Sequence, residues 1–280
     1  MSAFLTDAAK TSYIEADGVR FAYRSFGAAS GVPLVFTHRF RATMDDWDPA
    51  FLDVLARERP IILFDNAGIG LSSGDSADSI AGMAKSAAEF IVKAGHDTVD
   101  VFGWSMGGAV AQQLALDRPD LVRRVVLNGT GPGGAPDAPR TPDKVWEVAL
   151  KPAYEAEDLL YLFFAPTETS RAAGRTHLQR MNKRQEAPEP PVKLETIKAQ
   201  VAALGAWAAG KNSAYARLAE IAMPVLIANG SHDIMVHAYL SYIMTQHIPN
   251  SRLTLYPDAG HGFMFQYPEL FGGHVLEFLR

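Results

Sequence analysis

The sequence predicts an α/β protein built on a mostly parallel sheet with helices on both faces. Short runs rich in Val, Ile and Leu recur along the 280-residue chain: PLVFT, IILFD, VDVFGW, VRRVVLNG, PVLIANG and RLTLYP. Runs so brief and so continuously apolar are those of strands covered on both faces. Longer stretches with apolar residues at helical spacing lie between them, and such alternation is the mark of parallel pairing. A composition of 48% hydrophobic and 20% charged residues is that of a soluble globular chain able to bury one large core.

Taken in order, YIEADGVRFAYRSF alternates about Asp17-Gly18, a strong hairpin signal. PLVFT then runs into VFTHRFRATMDDWDP (Val35–Pro49), where a strand ends at His38 and the chain turns. IILFD closes at Asp65. Ser79 to Ala94 has helical spacing, with Asp78 or Ser79 as its cap. VDVFGW follows, and Gly107 to Leu116 is helical again. The alternation stops after GTGPGGAPDAPRTPD. From about Thr141 to Glu220 the pattern is helical without strands, broken by APEPPV at Ala187–Val192, and strands resume at Met223. The expected organisation is a core of residues 1–134 and 221–280 with a helical insert at 135–220, which suits a cap, or lid, over a site.

Composition excludes several classes of function. A net charge of −5 without a basic cluster argues against nucleic acid or anionic lipid as partner. The absence of cysteine removes disulfides, thiol nucleophiles and thiolate-bound metals. The N-terminal residues lack a signal-peptide pattern, and no run of about 18 apolar residues exists to span a membrane. The expectation is a cytoplasmic protein that acts on a small molecule, without membrane or nucleic-acid partners. Composition leaves the oligomeric state open.

The chemistry concentrates in VDVFGWSMGGAVAQQLAL. A strand ends, Gly103-Trp104-Ser105-Met106-Gly107 follows, and a helix begins at once. This is the G-x-S-x-G elbow in the strand–turn–helix context it requires. The sharp turn strains Ser105, and side chains at the flanking positions would meet neighbouring backbone. The helix start then offers unpaired N–H groups to developing negative charge. A serine hydroxyl needs a base. His261, in YPDAGHGFMF between the last strand and the terminal helix, is the best placed, and His38 competes. The base needs a carboxylate to fix its tautomer. Asp233, just beyond PVLIANG, is favoured over Asp258, which shares the loop of His261.

These motifs, in the order Ser, Asp, His, resemble the α/β-hydrolase fold superfamily across nearly the full chain. The resemblance rests on the hairpin start, THRFRATMDDWDP, FDNAGIGLSS, GWSMGG, GSHD and GHGF. It implies an eight-stranded, mostly parallel sheet flanked by helices, with a helical cap. The cap-bearing esterases, cofactor-free haloperoxidase/perhydrolase-like enzymes and C–C hydrolases are the most similar group. It also implies a serine hydrolase that cleaves an ester or lactone of a small, largely apolar substrate through an acyl-enzyme. Ser105 is then the nucleophile, His261 the base and Asp233 its orienting acid. The backbone N–H groups of Met106 and Phe40 form the oxyanion hole, Phe40 being carried over from the family pattern. C–C cleavage, perhydrolysis and a non-catalytic ligand receptor are the alternatives. No metal or cofactor is expected. Asp65, in the FDNAGIGLSS loop, is read as structural.

The pocket is expected to include His38, Arg39 and Trp104 from the core. The insert adds Trp146, Tyr154, Leu159, Leu160, Phe163, Phe164 and Trp207, an aromatic set that fits an apolar substrate. Where the family has His-Gly, this chain has His38-Arg39. A side chain there restricts the oxyanion loop. Either Arg39 or Arg41 aims into the pocket toward a substrate carboxylate, or Arg39 pairs outward with Asp45 or Asp46, the reading favoured on sequence.

Overall fold

The computed structural model describes residues 4–181, 184 and 187–280. The expected insert at 135–220 therefore contains four positions, 182, 183, 185 and 186, that lie outside the described residues. A short helix α1 (Leu5–Ala8) precedes the hairpin β1 (Ser12–Ala16) and β2 (Val19–Gly27). Its turn residues Asp17 and Gly18 have φ of 48° and 78°, as a tight two-residue hairpin loop requires. There follow β3 (Leu34–Thr37), α2 (Pro49–Ala56), β4 (Pro60–Phe64), α3 (Ile80–Lys93), β5 (Val99–Trp104), α4 (Met106–Asp117) and β6 (Val122–Asn128). Ser79 caps α3 by accepting from Gly82 N at 3.2 Å. Asp48 does the same for α2, accepting from Ala50 N at 2.8 Å with Pro49 in the first helical position.

Between β6 and β7 (Val225–Gly230) the chain forms α5 (Asp143–Ala149), α6 (Ala156–Phe163), α7 (Glu168–Arg180) and α8 (Leu194–Ala208). It ends with α9 (Ala238–His247), β8 (Ser251–Tyr256), α10 (Phe263–Gln266) and α11 (Pro268–Leu279). The strands form one eight-stranded sheet in the order β1-β2-β4-β3-β5-β6-β7-β8. β2 pairs antiparallel with both neighbours, and every other pairing is parallel.

The period-two pleat divides the core into two layers. Val35, Ile62, Val101 and Val125 pack with α3 and α4, whereas Leu34, Phe36, Leu63 and Phe102 pack with α2 and α11. The strands β3 to β7 are buried on both faces, which explains their continuous apolar runs, whereas β8 is partly exposed. The parallel strands β3, β5, β6 and β7 all point their C-terminal ends to one edge. The loops after them carry His38, Ser105, Gly129 and Asp233, so the topology gathers the candidate residues there.

Buried polar ties hold α7 and the chain around α5 and α8 against the core. Asp48 is fully buried, and His177 Nδ1 lies 2.7 Å from its carboxylate. Arg180 Nε donates to the same carboxylate at 3.0 Å. Burial pushes the Asp48 carboxyl up, but the bonds from His177 and Arg180 more than offset this and hold it below its ordinary range. Thr196 Oγ1 donates to the Gly68 carbonyl at 2.8 Å. Removing one member of such a buried charged set costs about 3–5 kcal/mol, because the other is left unpaired.

Candidate active site

Ser105 sits at the junction of β5 and α4 with φ 58° and ψ −121°, an uncommon conformation for a residue with a side chain. Strain of this kind costs about 1–3 kcal/mol and persists only where the surroundings enforce it. They do so here. A Cβ on Gly103 would come within 2.6 Å of the Gly107 carbonyl oxygen, and one on Gly107 within 2.0 Å of the Thr37 carbonyl oxygen. Ser105 N donates to Asn128 O at 2.9 Å, and Thr130 Oγ1 donates to Ser105 O at 2.8 Å. The elbow is thus bolted to the end of β6. Met106, the first residue of α4, has no intrahelical acceptor for its N–H.

Asp233 lies in the turn after β7. One oxygen accepts from Met235 N and Val236 N at 2.8 and 2.9 Å, and the other lies 2.7 Å from His261 Nδ1. Both side chains are fully buried. A carboxylate at Nδ1 places the ring proton there and leaves the Nε2 lone pair free. Nε2 makes no hydrogen bond among the described residues. The imidazole packs between Trp104 and Phe163, with centroids at 5.4 and 6.1 Å, and Trp104 Nε1 donates to the His261 carbonyl at 3.1 Å. His261 is thereby anchored against the residue that precedes Ser105. Asp258 is occupied elsewhere: it accepts from Thr167 and Thr169 at the start of α7.

His38 does not compete as a base. Its Nδ1 accepts from Trp47 Nε1 at 2.9 Å, and burial lowers its pKa to about 4. The turn that follows differs from the sequence expectation. Arg39 does not take a positive φ; Arg41 does, at 56°. A hydrogen bond from Ala42 N to Arg39 O closes the turn at 3.3 Å, so the left-handed residue falls two places beyond the missing glycine. Arg41 is held there by the chain after β6. Its N donates to Gln200 Oε1 at 2.9 Å, and its guanidinium donates to the carbonyls of Ala149, Lys151 and Pro152. Arg39 pairs with Asp46 at 2.6 Å, yet it points inward: its side chain is only 8% exposed.

A cavity of about 1100 Å³ lies under α6 and α7, and Arg39, Trp104, Tyr154, Leu159 and Phe163 are in its wall. The wall omits Ser105 and His261. One aromatic layer, Trp104 and Phe163, separates the cavity from His261. Five residues expected to face substrate lie outside this wall: His38, Trp146, Leu160, Phe164 and Trp207, with Leu160 and Phe164 buried in the apolar core. His38 is sealed beneath Trp47. Trp207 turns to the core, donating to the Gly131 carbonyl at 3.2 Å. Trp146 is 38% exposed and meets Phe40 edge-on at 6.5 Å.

A buried acid pair, absent from the sequence expectations, lies beside the loop after β3. Asp65 and Glu189 hydrogen-bond to each other, and both accept from Leu71 N, at 3.3 and 3.0 Å. Arg24, itself 1% exposed, donates to Glu189 at 3.0 Å and to Asp45 at 2.5 Å. Burial is the main cause that raises Asp65 to about 7 and Glu189 to about 9. The pair therefore holds a proton at neutral pH. Asp65 Oδ1 also accepts from Met44 N at 3.0 Å, which ties the pair to the loop that carries Arg39. In the sequence Glu189 lies within the APEPPV break, read as an interruption between helices.

Among known families, the model of the alpha/beta hydrolase fold matches residues 32–268, most of the chain. The protein belongs to the alpha/beta hydrolase fold family. An alpha/beta hydrolase fold protein from Chitinophaga pinensis superposes with a TM-score of 0.91 at 38% identity, covering 98% of each chain. A hydrolase from Pseudomonas aeruginosa PA01 gives a TM-score of 0.71 at 26% identity, over 96% of this chain and 98% of that one. A pimeloyl-[acyl-carrier protein] methyl ester esterase from Nitrosomonas europaea is 26% identical across 86% of this chain and 93% of its own. The hydrolase-named relatives make this alpha/beta hydrolase an enzyme of the hydrolase class. No helix among its described residues is long and apolar enough to cross a membrane.

Proposed function

We propose that the protein is a serine hydrolase that cleaves a carboxylic ester or lactone through an acyl-enzyme. The carrying observation is the free Nε2 of His261, fixed by Asp233 at 2.7 Å and packed against Trp104, next to the strained Ser105. His261 takes the proton of Ser105 as the hydroxyl attacks the substrate carbonyl. Asp233 stabilises the imidazolium that forms. The N–H groups of Met106 and Phe40 receive the oxyanion; one such donor contributes about 2.7–4 kcal/mol in the transition state. Proton return to the leaving alkoxide frees the alcohol, and water activated by the same histidine releases the acid.

Helices α5 to α8 act as the cap over this site. Phe163 comes from the cap, so its displacement opens the cavity toward His261 and admits a small, largely apolar substrate. Ser105→Ala is expected to reduce turnover of activated esters by at least 1000-fold without loss of folding, consistent with loss of the attacking group. Wild-type turnover in that variant would overturn the reading.

A further inference from the structure

Arg39 replaces a glycine expected from the family pattern, and its environment is that of a side chain awaiting a ligand. It is 7% exposed and forms part of the cavity wall. Its guanidinium lies over Trp104 and Phe163, with Cζ at 5.5 and 5.0 Å from the ring centroids. These contacts cover its flat faces and leave its donor-bearing edges to be satisfied. An arginine has five N–H groups. One from Nη1 goes to the Phe40 carbonyl at 2.8 Å and one from Nη2 to Asp46 Oδ1 at 2.6 Å. Nε is buried with no acceptor among the described residues.

Asp46 does not complete the guanidinium. Its second oxygen accepts from Thr43 N at 2.9 Å, and the carboxylate is one third exposed. Lys198 of the cavity wall is exposed, whereas three other cations there are committed to partners. Arg41 is spent on three carbonyls, Lys151 on Asp158 at 2.6 Å, and Arg180 on Asp48. Unused donors on a buried arginine match a carboxylate, which accepts two parallel N–H bonds from such a fork.

We infer that Arg39 is a specificity-determining residue that binds a free carboxylate on the acyl part of the substrate. The acyl chain then runs past Trp104 to place its ester carbonyl at Ser105. The preferred substrate class is an ester of a dicarboxylic acid with one acid group left ionised. This inference rests on the serine-hydrolase reading and names its substrate class.

The kinetic test compares kcat/KM for p-nitrophenyl hemiglutarate and the neutral p-nitrophenyl valerate. Wild type should favour the hemiester at least tenfold. Arg39→Met should reduce that ratio at least tenfold, mainly through KM, and Arg39→Lys should restore only part of it. Asp46→Asn, which frees the guanidinium from its competing acid, should raise the ratio instead. Opposite effects of two partners in one ion pair separate recognition from scaffolding, since a structural pair would lose activity from either side. A ratio unchanged within twofold in both Arg39→Met and Asp46→Asn overturns the proposal.

A second arm is independent of hydrolysis. Glutarate binding is measured by calorimetry on Ser105→Ala and on the same variant carrying Arg39→Met. At least tenfold weaker binding in the double variant supports the proposal, and equal affinity overturns it. If wild type cleaves no ester, the catalytic reading fails while this arm still decides the role of Arg39.

Discussion

At the scale of single residues, contact distances explain why some positions admit one amino acid. Gly107 has no room for a Cβ, because the Thr37 carbonyl oxygen lies 2.0 Å from where it would be. Gly205, in the exposed part of α8, meets nothing within 4 Å. The two glycines should therefore respond in opposite directions to alanine. Gly205→Ala is expected to stabilise by about 0.5–1 kcal/mol through helix propensity. Gly107→Ala should destabilise by more than about 3 kcal/mol, or prevent folding, by forcing β3 and α4 apart. Urea denaturation of both variants checks this. The elbow glycines were legible in the sequence because their spacing is local. That Asp233 rather than Asp258 meets His261 was also legible, from its place after a buried strand. The strained residue of the oxyanion loop was not. Strain falls on Arg41 because carbonyls near α5 and Gln200 of α8 hold it, and those partners are over 100 positions away.

At the scale of elements, the acid pair couples the loops after β3 and β4 to the segment that precedes α8. Both groups have folded pKa values raised by burial, Asp65 from 3.8 to about 7 and Glu189 from 4.5 to about 9. The folded state then binds more protons than the unfolded state between about pH 4 and pH 9. The stability this pair contributes is fully present below about pH 4 and is lost as pH rises through 7 toward 9. His38, Arg24, Asp45 and Asp46 surround the pair. His38, lowered to about 4, is neutral as the pair titrates through 7 toward 9, and Arg24 offsets part of the negative charge that develops. Glu189→Gln keeps a donor for Asp65 and removes one titration. Thermal melts from pH 5 to pH 9 should show a flatter decline in that variant than in wild type. Equal slopes would exclude the pair as the source. No local pattern announces such a pair, since Asp65 and Glu189 meet only after the chain between β6 and β7 folds back.

At the scale of the whole molecule, the succession of strand segments along the chain was legible because parallel strands buried on both faces leave continuous apolar runs. The helical break between β6 and β7 was legible from the loss of that alternation. Which aromatics of this segment face the cavity was not, because helix rotation depends on docking. Phe163 and Leu159 face inward, whereas Trp207 turns to the core and Trp146 to solvent. The sheet brings the loops after β5, β7 and β8 to one edge, and the central claim is that the serine there is an activated nucleophile. Labelling with a fluorophosphonate, followed by peptide mass spectrometry, tests it most directly. One adduct is expected, on the peptide containing Ser105, absent in Ser105→Ala and slowed at least 100-fold in His261→Ala. An unlabelled folded protein, or an adduct at another residue with Ser105 unmodified, would contradict it.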